Sequence, residues 1–163
     1  MAKRKIYILL SLSLIIALGL FLRAYNINHV PLGIYSDEAF NGLDAINAMH
    51  GHWQWFYEAN DGREGLFINL IAICFKLFGV SIPALLLPSI FFGTITILGV
   101  YLLSKELFQN ERIAIIGALL AAVSFWAIDF SRISFRAIML PAVLVFSFYF
   151  LWKGLRSKKW LDR

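Results

Sequence analysis

Cysteine is almost missing: Cys74 stands alone, inside an apolar run. A single thiol excludes an intrachain disulfide and any Cys-x-x-Cys motif. Charge is scarce at 15% of 163 residues, with ten acids against fifteen Lys and Arg. A formal excess of +5 spread over the chain is no nucleic-acid footprint. No Gly-rich phosphate loop or dinucleotide fingerprint occurs, which removes the common nucleotide-binding classes. There are three histidines, and His29, His50 and His52 read as interfacial polar groups beside tryptophans rather than as metal ligands. No internal repeat or low-complexity segment stands out.

What the chain has in quantity is apolar surface. Hydrophobic residues make up 60%, with 15 Phe, 5 Trp and 6 Tyr, and the mean hydropathy is +0.74. Such a composition belongs to a membrane protein. A crossing helix needs about 20 apolar residues. The uncharged run 6–22 qualifies, is longer than a signal-peptide core, and ends in Arg23-Ala24-Tyr25 without a small-x-small cleavage site, so it reads as a retained anchor. The run 77–104 qualifies, with Pro83 and Pro88 near its start; 113–128 and 137–152 qualify if Arg112, Arg132, Arg136 and Lys153 snorkel at their ends. The eleven residues 65–75 are too few, and Gly79 soon follows. The expectation is an all-α polytopic transmembrane helix bundle with spans at about 6–23, 83–104, 113–130 and 137–153. Counting residues 65–75 as a crossing would give five spans.

Charge orients the bundle. Lys3, Arg4 and Lys5 open the chain; Lys153, Arg156, Lys158, Lys159 and Arg163 close it. The positive-inside tendency puts both ends in the cytoplasm when there are four spans, and only one of them when there are five. Residues 24–82 then form an extracytoplasmic loop holding six acids and only two bases. The loop has its own structure. In "SDEAFNGLDAINAMHG", Ser36 suits an N-cap and Gly51 a C′ position; Phe40, Leu43, Ile46 and Met49 recur at helical spacing. This predicts an amphipathic juxtamembrane helix over about 37–50, lying flat on the membrane, followed by a second short helix over about 65–78. Trp53, Trp55, Phe56 and Tyr57 read as an aromatic belt at headgroup level.

Three polar features fall on the same outer side: Asp37-Glu38 at a helix start, Asp61, Arg63 and Glu64 in "NDGREG", and Asp129, Arg132 and Arg136 in "DFSRISFR". Each has a plain explanation, respectively helix capping, a surface turn, and snorkelling with an Asp129–Arg132 ion pair. Together they suit transfer of a group off a phosphate. A carboxylate serves as base to an incoming hydroxyl, or orients it, and arginines hold the leaving phosphate. The expected site is one water-facing pocket: Asp37 and Glu38 catalytic, Arg63, Glu64, Arg132 and Arg136 binding substrate or phosphate. A divalent metal is left open.

The order of motifs resembles a known family. After a basic start and one span come "RAYNINHVPLGIYSDEAFNGLDAINAMHGHW", then "GREGLFINLIAICFKLFGVSIPALLLPSIFFGTITILGVYLLSKELF", then "FSRISFRAIMLP". This is similar to the N-terminal part of polytopic GT-C glycosyltransferases, in particular relatives of protein O-mannosyltransferases and of the lipid A aminoarabinose transferase. The resemblance implies an inverting glycosyltransferase, hexosyl or pentosyl, in the plasma membrane. It takes a polyprenyl-phosphate-linked sugar and passes it to a lipid, protein or glycan acceptor on the outer face. Asp37 then matches the family's loop aspartate and Glu38 its neighbour, while Arg63, Arg132 and Arg136 would lie near donor phosphate. The chain departs from the pattern twice. It reads "GREGLF" where many relatives carry Pro-Pro or Lys-Pro, and Leu140-Pro141 where some carry an acid. Such enzymes are several times longer, so the expectation is a fragment. A non-catalytic membrane subunit, or a component of a lipid or anion transporter, is the alternative.

Overall fold

The computed structural model describes residues 2–29 and 33–157; Lys158, Lys159 and Arg163 of the basic C-terminal group lie outside the described residues. The chain folds as an all-α membrane helix bundle. Helix α1 (Ala2–Ala24) leads to α2 (Ser36–Met49), a two-stranded hairpin, α3 (Gly65–Phe78), α4 (Ile82–Phe108), α5 (Glu111–Val123), α6 (Phe125–Ser131), a 3₁₀ turn (Arg136–Ile138) and α7 (Met139–Arg156). Among the described residues, three helical stretches, Lys3–Ala24, Ile82–Phe108 and Arg136–Arg156, are long and apolar enough to cross a membrane. Helices α5 and α6 would make a fourth crossing as a pair, but they bend by 53° at Ser124. The single helix expected over 113–130 is thus two. At 14 residues, α3 falls short of a crossing.

Helix α4 is the mast. It packs on α1, α3, α5, α6 and α7. Its N-terminus carries Pro83, where a missing N–H costs nothing, and Ser81 caps it by accepting from Ala84 N at 3.4 Å. Along α5, Ala114, Ala118 and Ala122 are fully buried and bring the helix close to α1 and α4 around Leu12, Ile15, Ile97 and Tyr101. Lipid tails are as apolar as leucine, so close van der Waals packing of small residues supplies the adhesion. A second core lies under the outer face. There Ala45 and Ala48 of α2 meet Phe67, Ile68, Ile71 and Phe75 of α3 and Leu85 of α4.

Two local expectations change. Tyr35, in extended conformation, holds the N-cap position of α2, and Ser36 is already helical. The side chain that closes this end is Glu38, which accepts from Tyr35 N at 2.9 Å. On α2 the apolar Phe40 and Leu43 stay exposed, Ile46 and Met49 pack against the core under the outer face, and Glu38 and Asn41 turn inward. Tyr57 is not part of the aromatic belt: Trp53, Trp55 and Phe56 are exposed, but Tyr57 is buried and donates to Asn69 Oδ1 at 2.7 Å.

Candidate active site

The hairpin builds one wall. Strand β1 (Phe56–Tyr57) pairs antiparallel with β2 (Arg63–Glu64), Tyr57 opposite Arg63. Three successive residues between them, Asn60, Asp61 and Gly62, take positive φ of 53°, 63° and 82°. Asn and Asp tolerate this region and Gly suits it. The turn folds back so that Asn60 Nδ2 donates to Asp37 Oδ1 at 3.0 Å, and it sends Arg63 inward. Arg63 is 2% exposed. Its Nε donates to Ala59 O at 3.1 Å, Nη1 to Asn41 Oδ1 at 2.6 Å, and Nη2 pairs with the Asp44 carboxylate. Phe40 lies 6.0 Å from the guanidinium carbon. Arg63 therefore fastens the hairpin to α2. Burial also pushes the neighbouring Tyr57 phenol up.

The opposite wall is the stretch after α6. Ser134 N donates to Glu38 Oε1 at 2.6 Å, and Asn41 Nδ2 donates to Ser134 O at 2.7 Å. Glu38 thus clamps two backbone segments, one oxygen each, and is 5% exposed. The clamp brings Phe135 and Arg136 over the start of α2. Arg136 Nε lies 3.1 Å from Glu64 Oε2, both exposed. Arg132 points elsewhere, donating to Leu22 O at 2.9 Å and Arg23 O at 3.4 Å at the end of α1. Asp129 is exposed.

Two cavities meet at Asp37. One is a polar pocket of about 230 Å³, lined by Asp37, Asn41, Asn60, Asp61, Arg63 and Arg136, with Phe135 along one side. The other is an apolar groove of about 550 Å³, lined by Ile34, Tyr35, Phe130, Ile133 and Phe135, with Asp37 and Glu38 at its edge. Asp37 and Phe135 line both. Of the six residues singled out in the sequence, Asp37, Arg63 and Arg136 line the polar pocket, Glu64 pairs at its lip, Glu38 braces it from below, and Arg132 is turned to α1. Asn60 and Phe135 escaped the sequence reading, whereas Asn41 falls with Asp37 and Asp44 on one polar face of α2 at i, i+4, i+7. The turn-forming residues "NDG" were the available signal for Asn60; nothing local marks Phe135. Among the described residues no three of His, Cys, Asp or Glu converge to hold a metal.

Residues 66–162, more than half of the chain, match the family model described as dolichyl-phosphate-mannose-protein mannosyltransferase. The match contains Arg132, Phe135 and Arg136 and begins just after the hairpin. Neither a curated protein nor a solved structure matches significantly.

Proposed function

Because the chain belongs to the dolichyl-phosphate-mannose-protein mannosyltransferase family, a group of membrane glycosyltransferases using polyprenyl-phosphate sugars, we propose that Asp37 serves sugar transfer at the outer face of the plasma membrane. The observation that carries this reading is the position of Asp37 on the seam between the apolar groove and the polar pocket. A lipid-linked sugar phosphate is itself apolar at one end and polar at the other. Its first isoprene units lie in the groove beside Phe130 and Ile133, and its sugar reaches the pocket.

The acceptor hydroxyl then gives its proton to Asp37 as its oxygen attacks the anomeric carbon. The bond from that carbon to the phosphate oxygen breaks, its electron pair leaves with the phosphate, and the configuration inverts. Asn60 holds one carboxylate oxygen in place. Arg136 meets the leaving phosphate. Its pairing with Glu64 is exposed, a kind of pair worth about 0–1 kcal/mol, so exchanging that carboxylate for a phosphate costs little. Glu38 and Arg63 act as braces and Arg132 as an anchor to α1. A lipid, protein or glycan hydroxyl is the acceptor, and mannose or a related pentose or hexose is the sugar.

The test is the full chain in nanodiscs with polyprenyl-phosphate mannose and a hydroxylated acceptor. Asp37→Asn is expected to lower turnover by about 10²–10⁴-fold while donor binding persists. Turnover within twofold of the native chain would refute the role of Asp37.

A further inference from the structure

The helix break at Ser124 has no local cause. "ALLAAVSFWAIDF" contains no proline and no glycine. Sharp kinks arise at such residues, at Gly/Ser pairs, at π-bulges, or where a side chain enters the hydrogen-bond ladder. Here a side chain enters, and it comes from another helix. Arg23 of α1 is fully buried. Its Nη1 donates to Ala122 O at 3.0 Å and its Nη2 to Ala121 O at 3.3 Å. In an unbroken helix these carbonyls would accept from Trp126 N and Phe125 N, four residues on. Instead the first rung of α6 is Ile128 N to Ser124 O at 2.9 Å. Arg23 stands in for the two missing donors.

The rest of the guanidinium is also engaged. Nη1 reaches Gly19 O at 2.9 Å, and Nε reaches Ser131 Oγ at 3.2 Å, at the far end of α6. Its partners are three carbonyls and a hydroxyl rather than a carboxylate. The charge faces the carbonyl end of α5, where the helix dipole is negative. One side chain therefore touches both sides of the bend. Three residues past Ser131, Ser134 docks on Glu38 and Asn41, and Phe135 and Arg136 enter the pocket with Asp37.

We propose that Arg23 is a positioning residue, which holds the α5–α6 break open and so delivers Ser134, Phe135 and Arg136 to Asp37. Straightening the 53° bend would swing the far end of a seven-residue helix by roughly 9 Å, given 1.5 Å of rise per residue. The stretch after α6 would then leave the outer face of α2. The role in catalysis rests on the function proposed above; the cause of the break does not.

Two measurements on Arg23→Met separate these levels. Amide exchange at Phe125 and Trp126 reports the break itself. Once the ladder closes, both amides gain carbonyl partners and their exchange slows by about tenfold. Sugar transfer reports positioning, and is expected to fall at least a hundredfold, since a misplacement of about 1 Å already costs about that much, with Arg23→Lys restoring part of it. Unchanged exchange in Arg23→Met overturns the assignment of the break. Slowed exchange with Asp37-dependent transfer intact overturns the positioning role. Where the methionine variant fails to insert, Arg23→Lys decides by the same two readouts, its smaller donor set giving intermediate exchange and transfer. If the native chain shows no Asp37-dependent transfer, the proposed function fails, and exchange still decides what breaks the helix.

Discussion

At Glu38 both carboxylate oxygens accept backbone N–H groups, from Tyr35 and from Ser134 across 96 residues of sequence. Hydrogen bonds to a charged group contribute about 1.5–3 kcal/mol each. Glu38→Ala should therefore cost about 3–6 kcal/mol in thermal denaturation of the detergent-solubilised chain, and Glu38→Gln about half as much, since one acceptor oxygen remains. A second residue carries a pH dependence. Burial holds the Tyr57 proton beyond its ordinary value of 10.0. With the folded value raised, the stabilisation is complete below pH 10 and is lost as pH climbs through the folded value. Tyr57→Phe should give up about 1 kcal/mol at neutral pH, the hydrogen bond to Asn69, and flatten the alkaline fall in a melting series. The adjacent acids were legible because two carboxylates are conspicuous in so apolar a chain. Their different tasks were not. Glu38 is defined by Ser134 and Asp37 by Asn60, and such distant pairings leave no trace in local spacing.

Among the elements, small residues set how closely helices approach. A side chain at Gly93 would run into Ser131 and Arg23, with Arg23 Nε only 3.1 Å away, whereas Gly154 has open space around it. Gly93→Ala should destabilise by about 1–3 kcal/mol through overpacking. Gly154→Ala, in the outward-facing α7, should be neutral or stabilise by up to about 1 kcal/mol through helix propensity. Melting temperatures of the two variants side by side check the contrast. The membrane bundle itself was legible in the apolar runs, because lipid forces the backbone of a crossing segment to satisfy itself within one helix. So was the helix over residues 36–49, whose apolar side chains recur at turn spacing. The bend at Ser124 was not, because Arg23 lies 99 residues from the carbonyl it caps. Nor was the hairpin, whose strands are two residues each.

For the molecule as a whole, the proposed orientation places the hairpin outside and the α4–α5 turn inside. In a Cys74→Ala background, a cysteine at Asn60 should react with a membrane-impermeant maleimide added to intact cells, and one at Gln109 only after lysis; the reverse pattern would invert the bundle. The interlocking of the two arginines has a consequence for synthesis. Arg23 of the first helix needs carbonyls at Ala121 and Ala122, while the carbonyl end of that helix takes its donors from Arg132. Neither end is satisfied until the ribosome has made some hundred further residues, roughly 5–20 s at ordinary elongation rates. During that interval the nascent first anchor must keep its cation in the headgroup water. Only when the later segment arrives can it sink and lock, so the assembly of the face that carries Asp37 doubles as a report that the later helices have been laid down.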